Sequence, residues 1–492
     1  MSRNHLLLFF CVAQFSMAQN NLTVLDSLTQ NPIPFASILL NRKQGWITND
    51  EGRFRLPPDK ELTAQDTLVL SSLGYKTLKR AGDQLQDSIF YLAPEPFELD
   101  EVILTNRNLT AEEIIEKLKE KVHLKYDLDF HHRRVFFRES GEQEFKKMNV
   151  EVRRNSIAAL GQSFWDSLIP TIPPKTTWHQ DILTHSYGNY IRDQQKLKVI
   201  KALELADESD FIFEDMGELF KQIIAKHVKK DSYFKVRSGL MGGKIDQEDL
   251  MDKEKDSSLT QEELNAKKAT DYMKAKLYRF KDIFGGLYSD EELQISILEK
   301  EKHYTFNLIG LRLWGDIPVY EIDFTTKTKG KYQGKLFVDA DRFALVRLEY
   351  QNIKPIYSFS MFKVFFKQFL KTATVQFKLL DNGRYTLQYC ELKDGNETGI
   401  QRPLNIIEKN KNVRGRRKQN ELAMNVDLHF NTLEKQHLVV LEQEELSAEA
   451  FESLELTHTV LPEERMTYDP AFWADEHIIE PNEAIRNYNV TP

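Results

Sequence analysis

Two pairs of histidines come closest to a metal-binding spacing in this chain of 492 residues. His131 and His132 are adjacent, and His179 and His185 lie six positions apart in HQDILTH. The familiar zinc hydrolase site places two histidines four apart on a helix, with a glutamate between them, so that both rings face one metal. No H-E-x-x-H occurs in the sequence. We therefore interpret these histidines as surface or core residues, and we expect neither a metal nor a cofactor.

Other catalytic arrangements are equally incomplete. The serine nucleophile motif G-x-S-x-G is absent. The glycines of Gly239–Lys244, GLMGGK, are wrongly spaced for the phosphate loop G-x-x-x-x-G-K-[ST], which favours a flexible turn instead. Cys390 falls inside an expected strand and is interpreted as a packed thiol. Asp339 and Asp341 flank an expected turn, where aspartate favours the backbone geometry. The sequence predicts no catalytic residues and favours a protein that is not an enzyme.

A basic run suits the binding of acidic groups. Six cationic side chains lie within the ten residues KNKNVRGRRK, namely Lys409, Lys411, Arg414, Arg416, Arg417 and Lys418. Such a cluster is complementary to phosphorylated or acidic partners, of which lipopolysaccharide is one example. A solvated hairpin loop is the alternative interpretation.

An aromatic stretch over residues 356–370 suits the binding of an apolar partner. Its phenylalanines are Phe359, Phe362, Phe365, Phe366 and Phe369. If helical, the stretch presents apolar side chains nearly all round, with lysines on the fringe. Such a segment lines a hydrophobic cavity or lies on a membrane surface. Packing in a core is the alternative interpretation.

Composition places the chain among soluble globular proteins of two or three domains. Hydrophobic residues make up 41% of the chain and charged residues 29%. A length of 492 residues exceeds one ordinary core. The formal net charge of −8 argues against nucleic acid as a partner, because no domain-wide basic surface is available to neutralise phosphates.

The first residues have the pattern of a secretory signal peptide. Arg3 precedes an apolar run that starts at Leu6, and the small residues Ser16 and Ala18 follow that run. We expect cleavage after Ala18 and export of the mature chain. Only Cys390 would then remain, so no internal disulfide is expected.

Short apolar segments with alternating polarity predict a β-sandwich early in the chain. Six or seven of them lie within residues 22–93, a density that is typical of a sandwich. The segment Asn49–Gly52, NDEG, is a hairpin signal, because asparagine and aspartate tolerate left-handed conformations and glycine adopts them freely.

Three linked motifs in this segment resemble the carboxypeptidase regulatory-like domain. They are Asp26-x-x-Thr29-x-x-Pro32-Ile33-Pro34-x-Ala36-x-Ile38, Thr48-Asn49-Asp50-x-Gly52-x-Phe54 and Ser71-Ser72-Leu73-Gly74-Tyr75. The resemblance implies a transthyretin-like sandwich of seven strands. It also implies the envelope of a gram-negative bacterium, where this domain commonly follows the signal peptide of outer-membrane proteins.

The middle of the chain is expected to be mainly helical. Thr110 is a capping residue followed by acidic side chains, and apolar residues then recur at helical spacing, which predicts a helix over residues 110–123. Residues 155–302 have mostly helical periods, and Lys196–Leu205 is one of the segments expected to form a helix.

From Tyr304 onward the apolar period returns to two, which predicts a large antiparallel meander over about residues 303–440. The predicted fold class is a multidomain protein with an all-β seven-stranded sandwich followed by an α+β domain that has this meander and a helical insertion. The expected parts are a signal peptide at 1–18, the sandwich at 19–93, a linker and helix at 94–127, the α+β domain at 128–440 and an acidic C-terminal arm at 441–492.

These features favour a non-enzymatic exported envelope protein in the periplasm or on the periplasmic face of the outer membrane. The sandwich would be an interaction module, and the α+β domain would bind a partner or an apolar ligand. The expected partner is an outer-membrane protein or a lipid. A periplasmic lipid or lipoprotein carrier is one alternative, because the order of sheet, helices and sheet resembles such folds. An exported hydrolase with a site outside known motifs is the other, because the founding carboxypeptidases carry this sandwich beside a catalytic domain.

Overall fold

The computed structural model describes residues 21–41, 44–56, 62–84, 88–95, 109–206, 219, 222–223, 225–229, 231–246, 260–285, 287–289, 292–293, 295–327, 329–412, 418–476 and 478–490. The expected signal peptide over residues 1–18 lies outside these ranges, as do residues 96–108 of the expected linker.

Two small sheets form a sandwich at the start of the described chain. Its strands are β1 Asn21–Asp26, β2 Ser37–Leu40, β3 Gln44–Ile47, β4 Arg53–Arg55, β5 Thr67–Ser71, β6 Leu78–Ala81 and β7 Ile89–Leu92. One sheet has the order β4-β1-β7 and the other has the order β3-β2-β5-β6. Side chains from both sheets, such as Val24, Ile38 and Phe90, belong to one buried apolar cluster. The sheets therefore pack face to face, as the sequence predicts.

The turn Asn49–Gly52 connects β3 to β4 and thus crosses from one sheet to the other, so it is not the hairpin that its sequence suggests. Asn49 Oδ1 accepts hydrogen bonds from the backbone N–H groups of Glu51 (2.9 Å) and Arg53 (2.8 Å). Gly52 has a φ of +70°, and a Cβ there would lie 2.5 Å from the carbonyl oxygen of Val24. Glycine is required at this position for both reasons.

A sheet of fourteen strands follows the sandwich. Its members are β8 His131–Asn155, β9 Lys175–Gly188, β10 Gln195–Leu205, β11 Ser232–Ser238, β12 Met241–Asp246, β15 Tyr304–Trp314, β16 Ile317–Thr326, β17 Tyr332–Asp339, β18 Leu345–Asn352, β19 Tyr357–Met361, β20 Val364–Leu379, β21 Tyr385–Asn410, β22 Lys418–Glu445 and β23 Glu463–Arg465, while β13 Tyr288–Ser289 and β14 Glu292–Leu293 pair separately. The main path is β15-β16-β17-β18-β20-β21-β22-β8-β9-β10-β23, with β19 paired to β20 and β11 paired to both β12 and β21. The expected large sheet is therefore present, and β8–β10 extend it.

Helices are few in the part of the chain that the structure describes. Those with defined bounds are α1 Ala111–Lys119, α2 Val122–Lys125, α3 Gln162–Leu168, α4 Gln261–Phe284, α5 Ser296–Glu299, α6 Ala448–Ser453 and α7 Glu483–Arg486, and residues 219, 222–223 and 225–227 are also helical. The helix predicted over residues 110–123 is present as α1 and the start of α2, and Thr110 and Glu113 form its capping box. None of the helices within the described ranges has the length and apolar character needed to cross a bilayer.

The helical prediction for residues 155–302 is wrong in part. The segment Lys196–Leu205 is strand β10, which pairs antiparallel with β9. Leu197 and Val199 are buried while Lys198 between them is not, and this is the period of a half-buried strand. Strand β9 and the pair β11–β12 also lie within the region expected to be helical.

The large sheet is covered on both faces. On one face α1, α2 and α4 pack against it, and Phe280 of α4 contacts Phe137 of β8 with ring centroids 5.4 Å apart. Phe136 points to the opposite face, because successive side chains of a strand alternate. There it belongs to a buried cluster with Ile47 of the sandwich and Trp473 of the C-terminal segment. The sandwich and the C-terminal segment thus share one face of the sheet.

Candidate functional site

The aromatic stretch forms a β-hairpin, not the helix that would present apolar side chains all round. Strands β19 and β20 pair up to Met361↔Val364. Phe362 and Lys363 between them have φ values of +51° and +59°. Two consecutive positive φ values are those of the tight hairpin turn whose twist matches the flanking strands. The stretch therefore has two distinct faces and an exposed tip.

The glycine-rich segment Gly239–Lys244 also lies at a hairpin turn. Strands β11 and β12 pair up to Ser238↔Met241, and Gly239 has a φ of +64°. Leu240 is 99% exposed, and Met241 is 54% exposed. This turn therefore presents two large apolar side chains to solvent.

Arg402 of β21 joins the two turns. Its Nη1 donates a hydrogen bond to the carbonyl oxygen of Phe362 (2.8 Å) and its Nε donates to Ser238 Oγ (3.0 Å). Its Nη2 donates to the carbonyl oxygen of Ser238, and the guanidinium lies 5.8 Å from the centroid of the Phe362 ring. The rigid fork of an arginine suits such a bridge. The two turns are thereby held side by side.

The exposed apolar side chains of the two turns form one surface, which we call the tip patch. Its members are Leu240, Met241, Met361 and Phe362, and the last two are 48% and 58% exposed. No aspartate or glutamate occurs in residues 232–245 or 355–380, whereas lysine occurs in both. A contiguous exposed apolar surface marks an interaction site in soluble proteins. The two hairpins combine this apolar character with cationic side chains, while the carboxylates of Glu151 and Asp427 lie beside Phe362 on the neighbouring strands.

Half-buried side chains, all apolar except Thr398, continue from the tip patch across four strands, and we call them the apolar rows. Directly paired residues of antiparallel strands share a face. The first row is Val364, Ile400, Leu428 and Met148, and the second row is Phe366, Thr398, Phe430 and Phe145. The rings of Phe145 and Phe430 are 6.0 Å apart. The apolar surface therefore extends well beyond the turns.

Two of the candidate phenylalanines pack over glycines of the neighbouring strand. A Cβ at Gly399 would lie 1.9 Å from the Phe365 ring, and a Cβ at Gly395 would lie 2.9 Å from the Phe369 ring. Each ring thus fills the space that a glycine leaves on the neighbouring strand. The other three candidates are the exposed Phe359 and Phe362 and the half-buried Phe366.

The basic run begins at the C-terminal end of β21, where Lys409 pairs with Tyr233 at the base of the β11–β12 hairpin. Lys409 belongs to that strand, Lys411 Nζ is 3.2 Å from Asp246, and Lys418 pairs with Glu421. The other candidates of the run, Arg414, Arg416 and Arg417, lie outside the described residues. Lys411 and Lys418 are therefore engaged with carboxylates of the chain itself.

The large sheet brings together one histidine from each sequence pair. His132 of β8 and His185 of β9 share a hydrogen bond, with Nε2 of the former 2.6 Å from Nδ1 of the latter. Burial, assisted by the positive charge of Arg134 and Lys198 and by His132 itself, lowers the pKa of His185 to about 4. The two histidines are separated by 53 residues in the sequence, so a motif built on helical spacing could not reveal this pair.

The other two histidines have separate contacts. His131 Nδ1 lies 2.9 Å from the carbonyl oxygen of Asp129, and its Nε2 lies 3.3 Å from the carboxylate of Asp127. The ring of His179 packs edge-on against Tyr488. His131 lies on β8 and His179 on β9, but neither ring takes part in the hydrogen bond between His132 and His185.

Asp50, Glu391 and His437 have the donor types of a metal site, and one ligand atom of each lies within 4.8 Å of the others. The ammonium of Lys435 lies between two of them, 2.6 Å from Asp50 Oδ2 and 3.4 Å from Glu391 Oε2. Asp50 belongs to the turn of the sandwich and Lys435 to β22. We therefore interpret the group as an ion-pair cluster that fastens the sandwich to the large sheet.

Cys390 and Asp339 take part in packing and turn formation. Cys390 is buried, and burial raises the pKa of its thiol to about 12. Asp339 Oδ1 accepts hydrogen bonds from the backbone N–H groups of Asp341 (2.8 Å) and Arg342 (2.9 Å). Asp339 Oδ2 accepts a third from the hydroxyl of Tyr385 (2.7 Å). The carboxylate of Asp339 thus holds the turn between β17 and β18.

Among solved structures, two complexes have distant similarity to this chain. One is the complex of MucA and MucB from Pseudomonas aeruginosa, at 6% identity and a TM-score of 0.16, covering 69% of this chain and 99% of that one. The other is a crystal structure of MucB in complex with MucA(peri), at 7% identity and a TM-score of 0.15, with the same coverage. These TM-scores are too low to support an argument about fold or function. No curated protein matches the chain.

A family model matches the first domain. The CarboxypepD_reg-like domain covers residues 23–104, which include the sandwich strands β2–β7 and the turn Asn49–Gly52. The match rests on the same segment whose three motifs carry the resemblance in the sequence. Residues 23–104 are therefore a carboxypeptidase regulatory-like domain.

Proposed function

We propose that this chain is a non-enzymatic exported protein of the gram-negative envelope. In this proposal the seven-stranded sandwich is an interaction module, and the large-sheet domain binds an apolar partner through the tip patch. The observation that carries the proposal is the pairing of two exposed apolar turns by one arginine, Arg402. Exposed leucine and phenylalanine at neighbouring turns stabilise no core of this chain. They suit contact with something outside it.

The position of the sandwich supports a binding role for the whole molecule. Phe35 stacks on Tyr389 of β21 with ring centroids 5.2 Å apart, and Gln388 donates a hydrogen bond to Ser37 Oγ (3.1 Å). Together with the ion pair of Asp50 and Lys435, these contacts hold the sandwich against the large sheet. A partner held by the sandwich would therefore keep a fixed position relative to the tip patch.

The lipid or lipoprotein carrier is the weaker candidate. A carrier needs an apolar cavity under the sheet of residues 304–430. Buried side chains such as Phe324, Leu336 and Leu387 fill that space. A cavity of about 480 Å³ against this sheet has polar and charged lining residues, including Asp323, Lys335, Glu349, Glu391 and Lys393. This lining does not suit an acyl chain.

Purification of the intact chain from the bacterial envelope tests the proposal. The wild type, a Leu240→Ser/Phe362→Ser variant and a matched Leu28→Ser control would be isolated in parallel. Leu28 is an exposed leucine of the sandwich that lies outside the tip patch. Mass spectrometry of the co-purified lipids and proteins would then be quantified for each.

We expect at least one specific lipid or membrane protein to be lost by about tenfold or more in the double variant and retained in the control. The estimate assumes about 1.5 kcal/mol or more for each buried apolar side chain. Equal recovery of every co-purified component from all three proteins would contradict the proposal.

A further inference from the structure

The tip patch has the properties of a surface that inserts into a lipid interface. The proposed function leaves its apolar partner unspecified, and these properties favour one kind of partner. Resting on that proposed function, we infer that the partner of the tip patch is the surface of an anionic phospholipid bilayer. Leu240 and Met241 would enter the interface from one turn, and Met361 and Phe362 from the other.

The exposure of the apolar side chains supports insertion. Leu240 is 99% exposed and so makes almost no contact with its own chain. Phe362 and Lys363 form the adjacent turn, whose backbone has left-handed φ values and projects both side chains outward. Interfacial segments bind by burying such apolar side chains at the boundary of headgroups and acyl chains. A hairpin turn that is already ordered can bury its side chains in the interface without the entropic cost of folding a helix there.

The charges around the tip patch suit anionic headgroups. Lys235, Arg237 and Lys244 belong to the β11–β12 hairpin, and Lys363 belongs to the β19–β20 turn. Two carboxylates near these turns are paired within the chain: Asp246 at the end of β12 lies 2.9 Å from Lys244, and Asp427 beside Phe362 lies 2.6 Å from Lys147. Lys235, Arg237 and Lys363 therefore give the surroundings of the tip patch a cationic character, although the chain as a whole has a formal net charge of −8. Lysine and arginine near a membrane surface are attracted by acidic phospholipids, and salt screens this attraction.

Arg402 contributes by fixing the two tips relative to each other. Its Nε, Nη1 and Nη2 all donate to Ser238 or Phe362. The guanidinium is thus committed to the chain and is a positioning group, not a ligand of phosphate. Two apolar tips held side by side can enter one interface together, and their contributions to the affinity then multiply.

A vesicle flotation assay with the full chain tests this inference. The probes are vesicles of phosphatidylcholine alone and of phosphatidylcholine mixed with phosphatidylglycerol, each at low and high salt. The variants are Leu240→Ser, Phe362→Ser, their double variant and Lys363→Glu, with Leu28→Ser as the matched control. Thermal unfolding of each variant would verify that the fold is intact.

We expect binding to the vesicles that contain phosphatidylglycerol, weakened by high salt. Each serine variant should lose roughly tenfold in affinity and the double variant about a hundredfold. Lys363→Glu should lose several-fold and show a smaller salt dependence, and the control should equal the wild type. Equal vesicle binding by all variants would overturn the inference.

Two further outcomes separate this inference from the proposed function. If the wild type binds no vesicles, but a membrane protein still co-purifies in a manner that depends on Leu240 and Phe362, the inference fails and the proposed function stands. If vesicle binding is absent and nothing co-purifies through the tip patch, both fail.

Discussion

Asp50 Oδ2 lies 2.6 Å from Lys435 Nζ, and this ion pair ties the turn between the two small sheets to strand β22 of the large sheet. The same ammonium is 3.4 Å from Glu391 Oε2. Glu391 is buried, whereas Asp50 is exposed. Lys435 therefore neutralises one carboxylate in solvent and one inside the protein, and its removal affects them unequally.

Replacing Lys435 should destabilise the protein more than replacing Asp50. Lys435→Met leaves the buried carboxylate of Glu391 with one cation fewer, which we expect to cost about 1–3 kcal/mol in the free energy of unfolding. Asp50→Asn removes only an exposed partner and should cost less than about 1 kcal/mol. Urea denaturation of each variant measures both values.

Lys79→Met is the matched control for this prediction. Lys79 also joins the sandwich to the large sheet, because its Nζ lies 3.2 Å from the carboxylate of Asp316. The side chains of Lys79 and Asp316 are both exposed. Its replacement should change the free energy of unfolding by no more than about 0.5 kcal/mol. A loss equal to that of Lys435→Met would show that burial of Glu391 is not the cause.

The pair of His132 and His185 should make stability depend on pH. In the unfolded chain an imidazole titrates near pH 6.5, whereas burial lowers the pKa of His185 in the folded chain to about 4. Between these values the unfolded state binds the proton and the folded state does not. Stability is therefore complete above about pH 6.5 and decreases as the pH falls towards about 4.

His185→Gln should flatten this decrease. Because the ring is partly exposed, we expect a contribution of about 1–2 kcal/mol, less than the full shift would give. Unfolding free energies of wild type and variant would be measured across this pH range. Parallel pH profiles would show that His185 titrates alike in both states.

Gly399 should be intolerant of any side chain. A Cβ there would lie 1.9 Å from the Phe365 ring, so Gly399→Ala must displace that ring and should cost about 1–3 kcal/mol in the free energy of unfolding. Gly243→Ala is the control, because no atom lies within 4 Å of its Cβ position. That change should be neutral or stabilise by up to about 1 kcal/mol, since alanine reduces the entropy of the unfolded chain. Thermal unfolding that ranks the two variants in the opposite order would refute the packing argument.

Cys390 should be inert towards thiol reagents in the folded protein. It is buried, and burial and the nearby Glu391 raise the pKa of its thiol to about 12. Since the thiolate is the reactive form, labelling by an aromatic disulfide reagent should become fast only in denaturant. Rapid labelling of the native chain would place this thiol at an accessible site.

The sequence identifies the features of this protein that depend on short segments. The turn Asn49–Gly52 and the capping box at Thr110 are each determined by a few adjacent residues and lie where the sequence predicts them, although this turn connects two sheets and is not the expected hairpin. The family of the first domain was likewise recognisable from three short motifs.

Longer-range features were not accessible in this way. The segment Lys196–Leu205 fits a helical period as well as a strand period, and its pairing with β9 decides the outcome. Phe362 was a sequence candidate, but Leu240 was not. Only the hydrogen bonds of Arg402 bring the two together across more than a hundred residues of sequence. The sequence shows the residues of the two turns but does not show that the turns lie side by side.

The C-terminal segment packs on the first domain, and this affects the order in which the chain can mature. Arg55 donates a hydrogen bond of 2.8 Å to the carbonyl oxygen of Trp473, and Asn49 donates one of 3.1 Å to that of Pro481. The sandwich can complete its own core before the C-terminal segment is available, but part of the surface that it packs against belongs to that last segment. Until the C-terminal segment from Trp473 onward has been added, the buried cluster of Ile47 and Phe136 lacks the side chains of Trp473, Ile478 and Ile479, and its exposed part is a target for chaperones and proteases.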